Sequence, residues 1–569
     1  MAGLWSSSVF LLLPSGVVIL LGAWFVADPD GAWHRDWSYF HHQAHVAIEA
    51  VWGGRPPDLN PWHCAGTDMT ENPQGFTSSP LFILPLLFGP ALGMRLAVLV
   101  MLAVGGAGMA WALGRQGLGK PAAMVGGLLW ALTPFFSVHL SEGHVPFAGF
   151  ALLPLGLALA RYAEEGTDGR QWFLRTWGLG AVMGAQLTFG GVYAVSFAAL
   201  LLTLDGVWRT LRTRSSRPVA TVMLAGTGAA LFGLPQLLPS ADLMLRFPRR
   251  PVHTDRLDLS LWFDSLFSRH VGTERISGHP FDWPEYVIHP GVITLILAGF
   301  GVWVSSRRRN VRSALPTALL VVLGGWAMLG DVSFGLDGLR RALPVIGDLR
   351  VPSRFGIFLV CGLCVLAAVA VDRALAGGGR LKCLGVILAV VAVVELWTLD
   401  IAWLRAAPTG REVVSGATEV PLTAGMLLDA PNRIALAPEL RHVISNCYEP
   451  GPHFVPIAIL KKEPTPFLLP DVGSGVPEVV GFVPGRMEFW AADPFSVVIA
   501  QSYHERWQSE GATVSPAPGG LMRIGSDGGF VTLTYSNPQR WWGLGGALGA
   551  AVLWLAVYVS RKRMLSTTT

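Results

Sequence analysis

Long apolar runs, separated by short arginine-rich loops, dominate the pattern of hydrophobic and polar positions along the chain. A run of roughly 17 or more apolar residues is long enough to cross a bilayer as a helix. The pattern predicts about twelve such spans, near residues 9–27, 92–113, 121–139, 146–161, 176–190, 191–207, 218–239, 290–305, 314–330, 355–374, 383–403 and 541–559. Nothing basic precedes the first run, so we interpret it as a retained helix and not as a signal peptide.

The placement of basic residues predicts an orientation for these spans. With the N-terminus inside, loops such as RTLRTRSSR and RRRNVR all fall on the cytoplasmic side, as the positive-inside rule requires. The long polar segments then fall outside: residues 28–80, 240–289, 331–354 and 404–540. The sequence therefore predicts a cytoplasmic-membrane protein with both termini in the cytoplasm and any active site outside.

The apolar pattern divides the chain into three parts. Residues 1–403 form a transmembrane module, residues 404–540 an outer domain, and residues 541–569 a final span with a cytoplasmic tail. Strict alternation in FSVVIAQSY and GFVTLTYS, between stretches rich in Gly and Pro, predicts short half-buried strands. The predicted fold class is therefore mainly α and polytopic, with a β-rich outer domain that resembles a β-sandwich.

An amphipathic helix is predicted directly after the first span. Residues 37–52 place apolar side chains at helical spacing: Phe40, Ala44, Ala47, Ile48 and Val51. This spacing predicts a helix that lies on the membrane surface.

Composition and the absence of known motifs limit the classes of protein to which this chain can belong. The 569 residues are 51% hydrophobic and only 14% charged, and the mean hydropathy is +0.47, far outside the range of soluble domains. A net charge of +4 gives no case for nucleic-acid binding. The chain has no phosphate-binding loop, zinc-protease, serine-hydrolase or dinucleotide motif.

Cys361 and Cys364 lie in an apolar span and behave as small hydrophobes, whereas Cys64 and Cys447 pair only if the fold brings them together.

The stretch HRDWSYFHHQAH contains the first candidate for chemistry. Asp36 follows the first span and begins the predicted surface helix, where a lipid headgroup can reach its carboxylate. The alternative is that Asp36 only caps this helix. Four histidines accompany it, and a metal site built from them is the less favoured interpretation: His34, His41, His42 and His45.

Further polar residues follow in two outer loops. Asp68 and Glu71 lie in NPWHCAGTDMTENPQG, and a carboxylate facing Asp36 would suit a divalent metal or a cationic substrate. Asp36 and Glu71 are therefore the candidate metal ligands. The short loop HLSEGHVP adds His139, Glu142 and His144 on the same face.

Arginines occur outside, where the positive-inside rule would deplete them. The segment DGLRRALPVIGDLRVPSRF contains Arg340, Arg341, Arg350 and Arg354. The segment RFPRRPVHTDR contains Arg246, Arg249, Arg250 and Arg256. Arginine binds phosphate oxygens bidentately, so an anion site is predicted, with snorkelling to lipid phosphates as the alternative.

Several segments, taken in their order along the chain, resemble the GT-C superfamily of polytopic glycosyltransferases, and within it the YfhO-like membrane proteins. DWSYFHHQAH resembles the first-loop Asp and the Gln that follows it, and GGRPPDLNPWHCAGTDMTENPQGFTSSPL resembles the first-loop motif. EGHVPFAGFALLPL, EYVIHPG, LRVPSRF and the C-terminal segment up to WWGLGGALG match later segments. The resemblance implies direct transfer of a sugar from a polyprenyl-phosphate donor to an outer glycan, lipid or protein.

The resemblance also implies roles for particular residues. Asp36 takes the catalytic position, with Asp68 and Glu71 as further acids. The implied substrate-binding residues are Arg350, Arg354, Arg341, His144, Glu142, Gln43 and Trp62. Many members of the superfamily have two adjacent acids in the first loop, whereas this chain has Asp36 alone before Trp37. A requirement for a divalent ion, Mg²⁺ or Mn²⁺, therefore stays open.

Two other functions remain open from the sequence. One is a transporter or flippase of lipid-linked saccharide, for which Glu395 is the clearest charged residue inside a span. The other is a non-catalytic protein of cell-envelope assembly that binds through its outer β-domain.

Overall fold

The computed structural model describes residues 14–16, 36–63, 66–246, 257–307, 311–330, 351–406, 423–425, 442–444, 465–466, 468–471, 474–517 and 520–566. Most of these residues are helical. The α-helices are α1 Asp36–Trp52, α2 Ile83–Arg115, α3 Lys120–Ala131, α4 Pro134–Ser141, α5 Leu153–Glu164, α6 Gly169–Thr188, α7 Val192–Thr213, α8 Arg217–Arg246, α9 Leu259–Phe267, α10 Val292–Arg307, α11 Val311–Ala327, α12 Gly356–Ala376, α13 Gly379–Ala406 and α14 Pro538–Ser566.

Eight helical segments of the described chain are long and apolar enough to cross a membrane. They are Pro80–Arg115, Lys120–Ser141, Val145–Glu164, Val192–Thr213, Arg217–Leu245, Pro352–Ala376, Gly379–Arg405 and Pro538–Ser560, and Val292–Ser306 is a shorter apolar helix. The prediction of a mainly helical polytopic membrane protein is confirmed. The number twelve stays a prediction, since nearly all of the first predicted span lies outside the described residues.

Helix α12 is the centre of the bundle. It is apolar on all sides and buried along most of its length, and it packs against α3, α10, α11 and α13. A helix that is hydrophobic all round belongs in a bundle interior. By contrast, α13 and α14 leave most of their apolar side chains uncovered, as helices at the lipid boundary do.

Helix α1 forms where it was predicted, but its environment differs from the prediction. Its Trp37, Phe40, His42 and Val46 are buried, and the helix packs against α2. The indole N–H of Trp37 donates to the carbonyl of Leu140 at 2.5 Å. The prediction of a surface helix is wrong because apolar residues cover more than one face, so burial is favoured over a membrane surface.

The C-terminal region of the described chain is β-rich, as predicted. One antiparallel sheet has the order β10–β13–β8–β7 and another has the order β11–β12–β9–β6. Their strands are β6 Leu468–Pro470, β7 Glu478–Val483, β8 Arg486–Ala491, β9 Phe495–Ser502, β10 Trp507–Glu510, β11 Thr513–Pro516, β12 Leu521–Ser526 and β13 Gly529–Tyr535. Alternate side chains such as Phe489, Val497 and Leu533 are buried, as the predicted alternation requires. The domain limits 1–403, 404–540 and 541–569 stay predictions.

Short β pairs complete the architecture. A three-stranded sheet has the order β4–β3–β5, from β3 Thr423–Gly425, β4 His442–Ile444 and β5 Thr465–Pro466. Between α1 and α2, β1 Leu59–Asn60 pairs antiparallel with β2 Thr67–Asp68. This small hairpin lies in the loop that carries two of the predicted catalytic acids.

Candidate functional site

The start of α1 lies directly against the loop between α4 and the helix Val145–Leu152. The backbone N–H of Asp36 donates to the carbonyl of Glu142 at 3.3 Å. Gly143 has φ +85°, and a Cβ built there would lie 2.1 Å from the backbone N of Trp37. Only glycine permits this approach. The contact brings the next residue, His144, to the carboxylate of Asp36.

His144 lies between two carboxylates and a second histidine. Its Nε2 is 3.5 Å from Oδ2 of Asp36 and 3.8 Å from Oε1 of Glu285. Its Nδ1 is 3.0 Å from Nδ1 of His139. One of these Nδ1 atoms must donate and the other accept. If His139 donates, the proton of His144 is on Nε2 and faces both carboxylates, so we assign that tautomer.

Arg354 binds Glu285 on the other side of the cluster. Its Nη2 is 3.1 and 3.2 Å from the two carboxylate oxygens of Glu285. The guanidinium lies over the rings of Phe147 and Tyr193, at 4.8 and 5.4 Å from their centroids. Its Nε is buried and has no hydrogen-bond partner among the described residues. One donor of Arg354 is therefore available to a ligand.

Glu285 is ionised at neutral pH. Burial by itself would raise its pKa, but the positive charge and hydrogen bonds of Arg354, with His144 and His139 nearby, outweigh burial and lower the pKa of Glu285 to about 2. The hydroxyl of Ser353 also donates to the carbonyl of Glu285 and fixes the loop.

We refer to Asp36, His139, His144, Glu285 and Arg354 as the Asp36 cluster. Four of its side chains keep some exposure, from 12% for Arg354 to 22% for Asp36. Four parts of the chain supply them: the start of α1, the end of α4 with the loop that follows it, the segment that precedes α10, and the segment that precedes α12. The cluster is therefore partly buried and still open to a ligand.

Asp68 has a different environment. Its Oδ1 accepts from the backbone N and hydroxyl of Thr70, at 2.8 and 2.6 Å. Its Oδ2 accepts from Arg506 at 2.8 Å, and from Tyr535 and Asn537 at 2.9 Å each. The same Arg506 Nη1 donates to Glu71 at 2.7 Å. We refer to Asp68, Glu71, Arg506, Tyr535 and Asn537 as the Asp68 cluster.

Two further residues of the first loop, Asp58 and Trp62, contact the C-terminal region. Asp58 accepts from Arg540 Nη1 at 2.9 Å and from the backbone N of Asn537 at 3.0 Å. The ring of Trp62 packs against Phe482 of β7, with centroids 4.9 Å apart. The predicted residues Asp68, Glu71 and Trp62 thus lie where the first loop meets the β-rich region and α14.

The remaining predicted residues are placed as follows. Gln43 is buried on α1, and Glu142 contributes its carbonyl to Asp36. Arg341 and Arg350 lie outside the described residues, as do His34, Arg249, Arg250, Arg256, Cys64 and Cys447. The sequence does not predict Glu285 as a site residue, because no regular spacing relates it to Asp36. The one signal in the sequence is that Glu285 begins EYVIHPG, a segment included in the resemblance described above.

Two sets of residues are candidate metal ligands: one that the structure brings together and the pair predicted from the sequence. Among the described residues, His139, His144 and Glu285 offer ligand atoms within 4.8 Å of one another. Arg354 already neutralises both oxygens of Glu285, so a divalent cation there would lie beside a fixed positive charge. This donor set does not fit a resident divalent ion. The predicted pair of Asp36 and Glu71 has different neighbours, since Glu71 binds Arg506.

The histidines of α1 contact neighbouring side chains of the protein. Nε2 of His42 lies 3.2 Å from Oδ1 of Asn60, and burial lowers the pKa of His42, so its ring is neutral at pH 7. The rings of His41 and His45 lie edge to face, 6.4 Å apart.

Glu395, the clearest candidate for a charged residue inside a span, caps a helix. Its two oxygens accept from the backbone N–H groups of Val292 and Ile293 at 3.1 and 2.9 Å, and Arg269 pairs with it. A carboxylate at a helix N-terminus is stabilised by the unpaired N–H groups there. These contacts explain Glu395 without a role in ion coupling.

Comparison with known proteins finds similarity in structure. No family model matches the chain, and no curated protein matches it in sequence. Among solved structures, the chain is similar to ArnT from Cupriavidus metallidurans, crystallised bound to undecaprenyl phosphate, with a TM-score of 0.43 and 15% sequence identity. The similarity covers 77% of this chain and 85% of the ArnT chain.

Proposed function

We propose that this protein is a membrane glycosyltransferase that moves a sugar from a polyprenyl-phosphate donor to an extracytoplasmic acceptor. The convergence of Asp36, His144 and Arg354 in one partly exposed cluster carries the proposal. A carboxylate and an arginine with a free donor are what a displacement with a phosphate leaving group requires. The order of sequence segments that resembles the GT-C glycosyltransferases supports the same reaction.

Arg354 would hold the phosphate of the donor. Its buried Nε has no hydrogen-bond partner among the described residues, and its stacking on Phe147 and Tyr193 fixes the plane of the guanidinium. It also precedes α12, whose N-terminal end favours an anion. Glu285 positions Arg354, and a phosphate oxygen would bind at the side of the guanidinium that Glu285 leaves open.

Asp36 would act as the general base. Its Oδ2 accepts the proton of the acceptor hydroxyl while the acceptor oxygen forms a bond to the anomeric carbon. The bond between that carbon and the phosphate oxygen breaks, and polyprenyl phosphate leaves with the bonding electrons. The Nε2 proton of His144 faces Asp36 at 3.5 Å and orients its carboxylate. No step requires a metal ion.

We assign Asp68, Glu71 and Trp62 to attachment of the β-rich region and not to chemistry. Every oxygen of Asp68 has at least one short hydrogen bond, and Glu71 shares Arg506 with it. Both oxygens of the Asp68 carboxylate are therefore already occupied by hydrogen-bond donors of its own chain.

The arginine pattern supports an extracytoplasmic site. Several arginines lie at the ends of helices α5 to α8 that are remote from Asp36, namely Arg161, Arg175, Arg209, Arg212 and Arg217. The positive-inside rule favours a cytoplasmic position for these ends, and the Asp36 cluster at the other ends would then lie outside.

A transfer assay in reconstituted membranes tests the proposal. Purified protein in nanodiscs would receive polyprenyl-phosphate sugars of several kinds, and release of polyprenyl phosphate would be measured. Asp36→Asn should reduce the rate by about 10²- to 10⁴-fold, the usual contribution of a general base. Glu49→Gln, which changes a carboxylate on the same helix outside the cluster, should leave the rate unchanged. Wild-type transfer by Asp36→Asn would contradict the assignment.

A further inference from the structure

A cavity of about 260 Å³ lies between α2, α5, α7, α11 and α12. No residue of the Asp36 cluster lines it. Trp208, which lines the cavity, follows Tyr193 by fifteen residues on α7, about 22 Å along the helix axis. Since Tyr193 contacts Arg354, the cavity lies towards the opposite end of the bundle from the candidate site.

The interior of the cavity is apolar and its mouth is polar. Its apolar wall includes Met109, Leu157, Leu201, Leu320 and Val365. Arg115, Gln116, Arg161 and Asp205 are the polar residues near the ends of the lining helices. A cavity with this lining fits an amphiphile that has a hydrocarbon chain and a polar head.

The residues that line the mouth include two arginines, Arg115 and Arg161, and one carboxylate, Asp205. Arg161 donates to Asp205 at 3.2 Å, but Asp205 also accepts from Arg209 at 2.7 Å, so two guanidinium groups share one carboxylate. Arg209 also pairs with Glu164, and Arg115 pairs with Glu165, whose side chain is 58% exposed. The carboxylate partner of Arg115 is therefore largely in solvent, where an exposed ion pair contributes little.

Three buried donors at the cavity have no hydrogen-bond partner among the described residues. They are Nε of Arg115, Nε of Arg161 and Nε1 of Trp208. All three residues line the cavity, and they come from three different helices. An unsatisfied buried donor costs about 1–3 kcal/mol, so their convergence indicates an acceptor that these side chains do not themselves supply.

The cavity opens sideways towards lipid. Leu204, Val207, Leu211 and Leu323 line it and are exposed, with Leu211 72% uncovered. On membrane-spanning helices such side chains contact lipid hydrocarbon. A lipid chain can therefore enter between α7 and α11 without crossing water.

We propose that this cavity binds an anionic glycerophospholipid, with an acyl chain in the apolar part and the phosphate at Arg115, Arg161 and Trp208. Arginine and a ring N–H supply the donors that phosphate oxygens accept. The site is separate from the Asp36 cluster and does not depend on sugar transfer.

Native mass spectrometry of the full-length protein tests the site. Detergent-solubilised protein is incubated with phosphatidylglycerol or phosphatidylcholine of identical acyl chains, and the bound fraction is compared. We expect phosphatidylglycerol to remain bound, and Arg115→Gln with Arg161→Gln to weaken its affinity by about tenfold, equivalent to about 1.4 kcal/mol. Arg380→Gln is the matched control, because Arg380 is exposed at the start of α13 and does not line the cavity.

Two single variants keep the test independent of the ion pairs. Ala112→Leu adds apolar volume at the cavity wall, and Trp208→Phe removes one donor while keeping an aromatic ring; both should reduce phosphatidylglycerol binding. Excess inorganic phosphate should not displace the lipid. Equal binding of both lipids, unchanged binding by Ala112→Leu and Trp208→Phe, or displacement by phosphate alone would overturn the proposal.

Discussion

Two carboxylate clusters on this protein use similar residues in opposite ways. In the Asp68 cluster, the side chain of Asp68 is 1% exposed and is held by hydrogen bonds of 2.6 to 2.9 Å. In the Asp36 cluster, the side chain of Asp36 is 22% exposed and its Oδ2 lies 3.5 Å from Nε2 of His144. The carboxylate of Asp68 is almost wholly buried among its partners, and the carboxylate of Asp36 keeps part of its surface exposed.

We interpret this difference as a division of roles: the Asp68 cluster attaches the β-rich region, and the Asp36 cluster is the proposed site of sugar transfer. Arg506 of the β-rich region reaches a loop more than 400 residues earlier in the chain, and the buried pair it forms there holds two regions together. A buried charge pair fixes geometry, and removal of one partner leaves an uncompensated buried charge. A partly open carboxylate beside a histidine and an arginine is typical of functional sites.

The largest effect is expected from removing the positive charge of the Asp68 cluster. Arg506→Met leaves Asp68 and Glu71 buried without their cation, which should cost about 3–5 kcal/mol of stability. Arg523→Met is the control, since Arg523 pairs with Asp471 at a half-exposed site and should cost at most about 1 kcal/mol. Denaturant titration or thermal unfolding in detergent measures both. Equal losses would remove the distinction between the two clusters.

Substitution of Arg354 should act on donor binding rather than on stability. Arg354→Lys keeps the charge but loses the planar guanidinium that stacks on Phe147 and Tyr193. Loss of a charged hydrogen bond of about 1.5–3 kcal/mol corresponds to a rise of about ten- to hundredfold in KM for the lipid-linked donor. Arg373→Lys, at the other end of α12, is the control. An unchanged KM would mean that Arg354 does not hold the donor.

A smaller, pH-dependent effect follows from Glu285. Its pKa in the folded protein is about 2, below the ordinary value of 4.5, so its ion pair stabilises the fold fully above pH 4.5. This contribution is lost as the pH falls from 4.5 towards 2. Wild-type unfolding midpoints should therefore drop in that range, and Glu285→Gln should lack that part of the slope. Parallel curves for the two proteins would show that the pair with Arg354 does not stabilise the fold.

No effect is expected from removal of divalent metal. The contact of Arg354 with both oxygens of Glu285 opposes a cation in the Asp36 cluster, so treatment with a chelator should leave sugar transfer unchanged. Transfer that stops with chelator and returns with Mg²⁺ or Mn²⁺ would support the metal site predicted from the sequence.

The sequence predicts the helices of the bundle well because their length is set by the bilayer. Apolar runs such as 355–374 and 383–403 correspond to α12 and α13, and strict alternation locates β9 and β13. The position of α1 was predicted correctly and its surroundings were not, since burial depends on α2 and on the loop after α4.

The site was predictable only in part. Asp36 and His144 stand out as polar residues beside apolar spans, but Asp68 and Glu71 look equally suitable in the sequence. Their assignment changes because of Arg506 and Tyr535, whose proximity follows from long-range folding. Glu285 could not be related to Asp36 by spacing for the same reason.

Side-by-side measurement of Asp36→Asn and Asp68→Asn tests the central claim most directly. Both substitutions remove one negative charge, so transfer rate per folded molecule and unfolding midpoint are recorded for each. Asp36→Asn should lose sugar transfer and keep a wild-type midpoint. Asp68→Asn should lower the midpoint and keep transfer in the molecules that remain folded. Lost transfer in folded Asp68→Asn together with full transfer in Asp36→Asn would contradict this account.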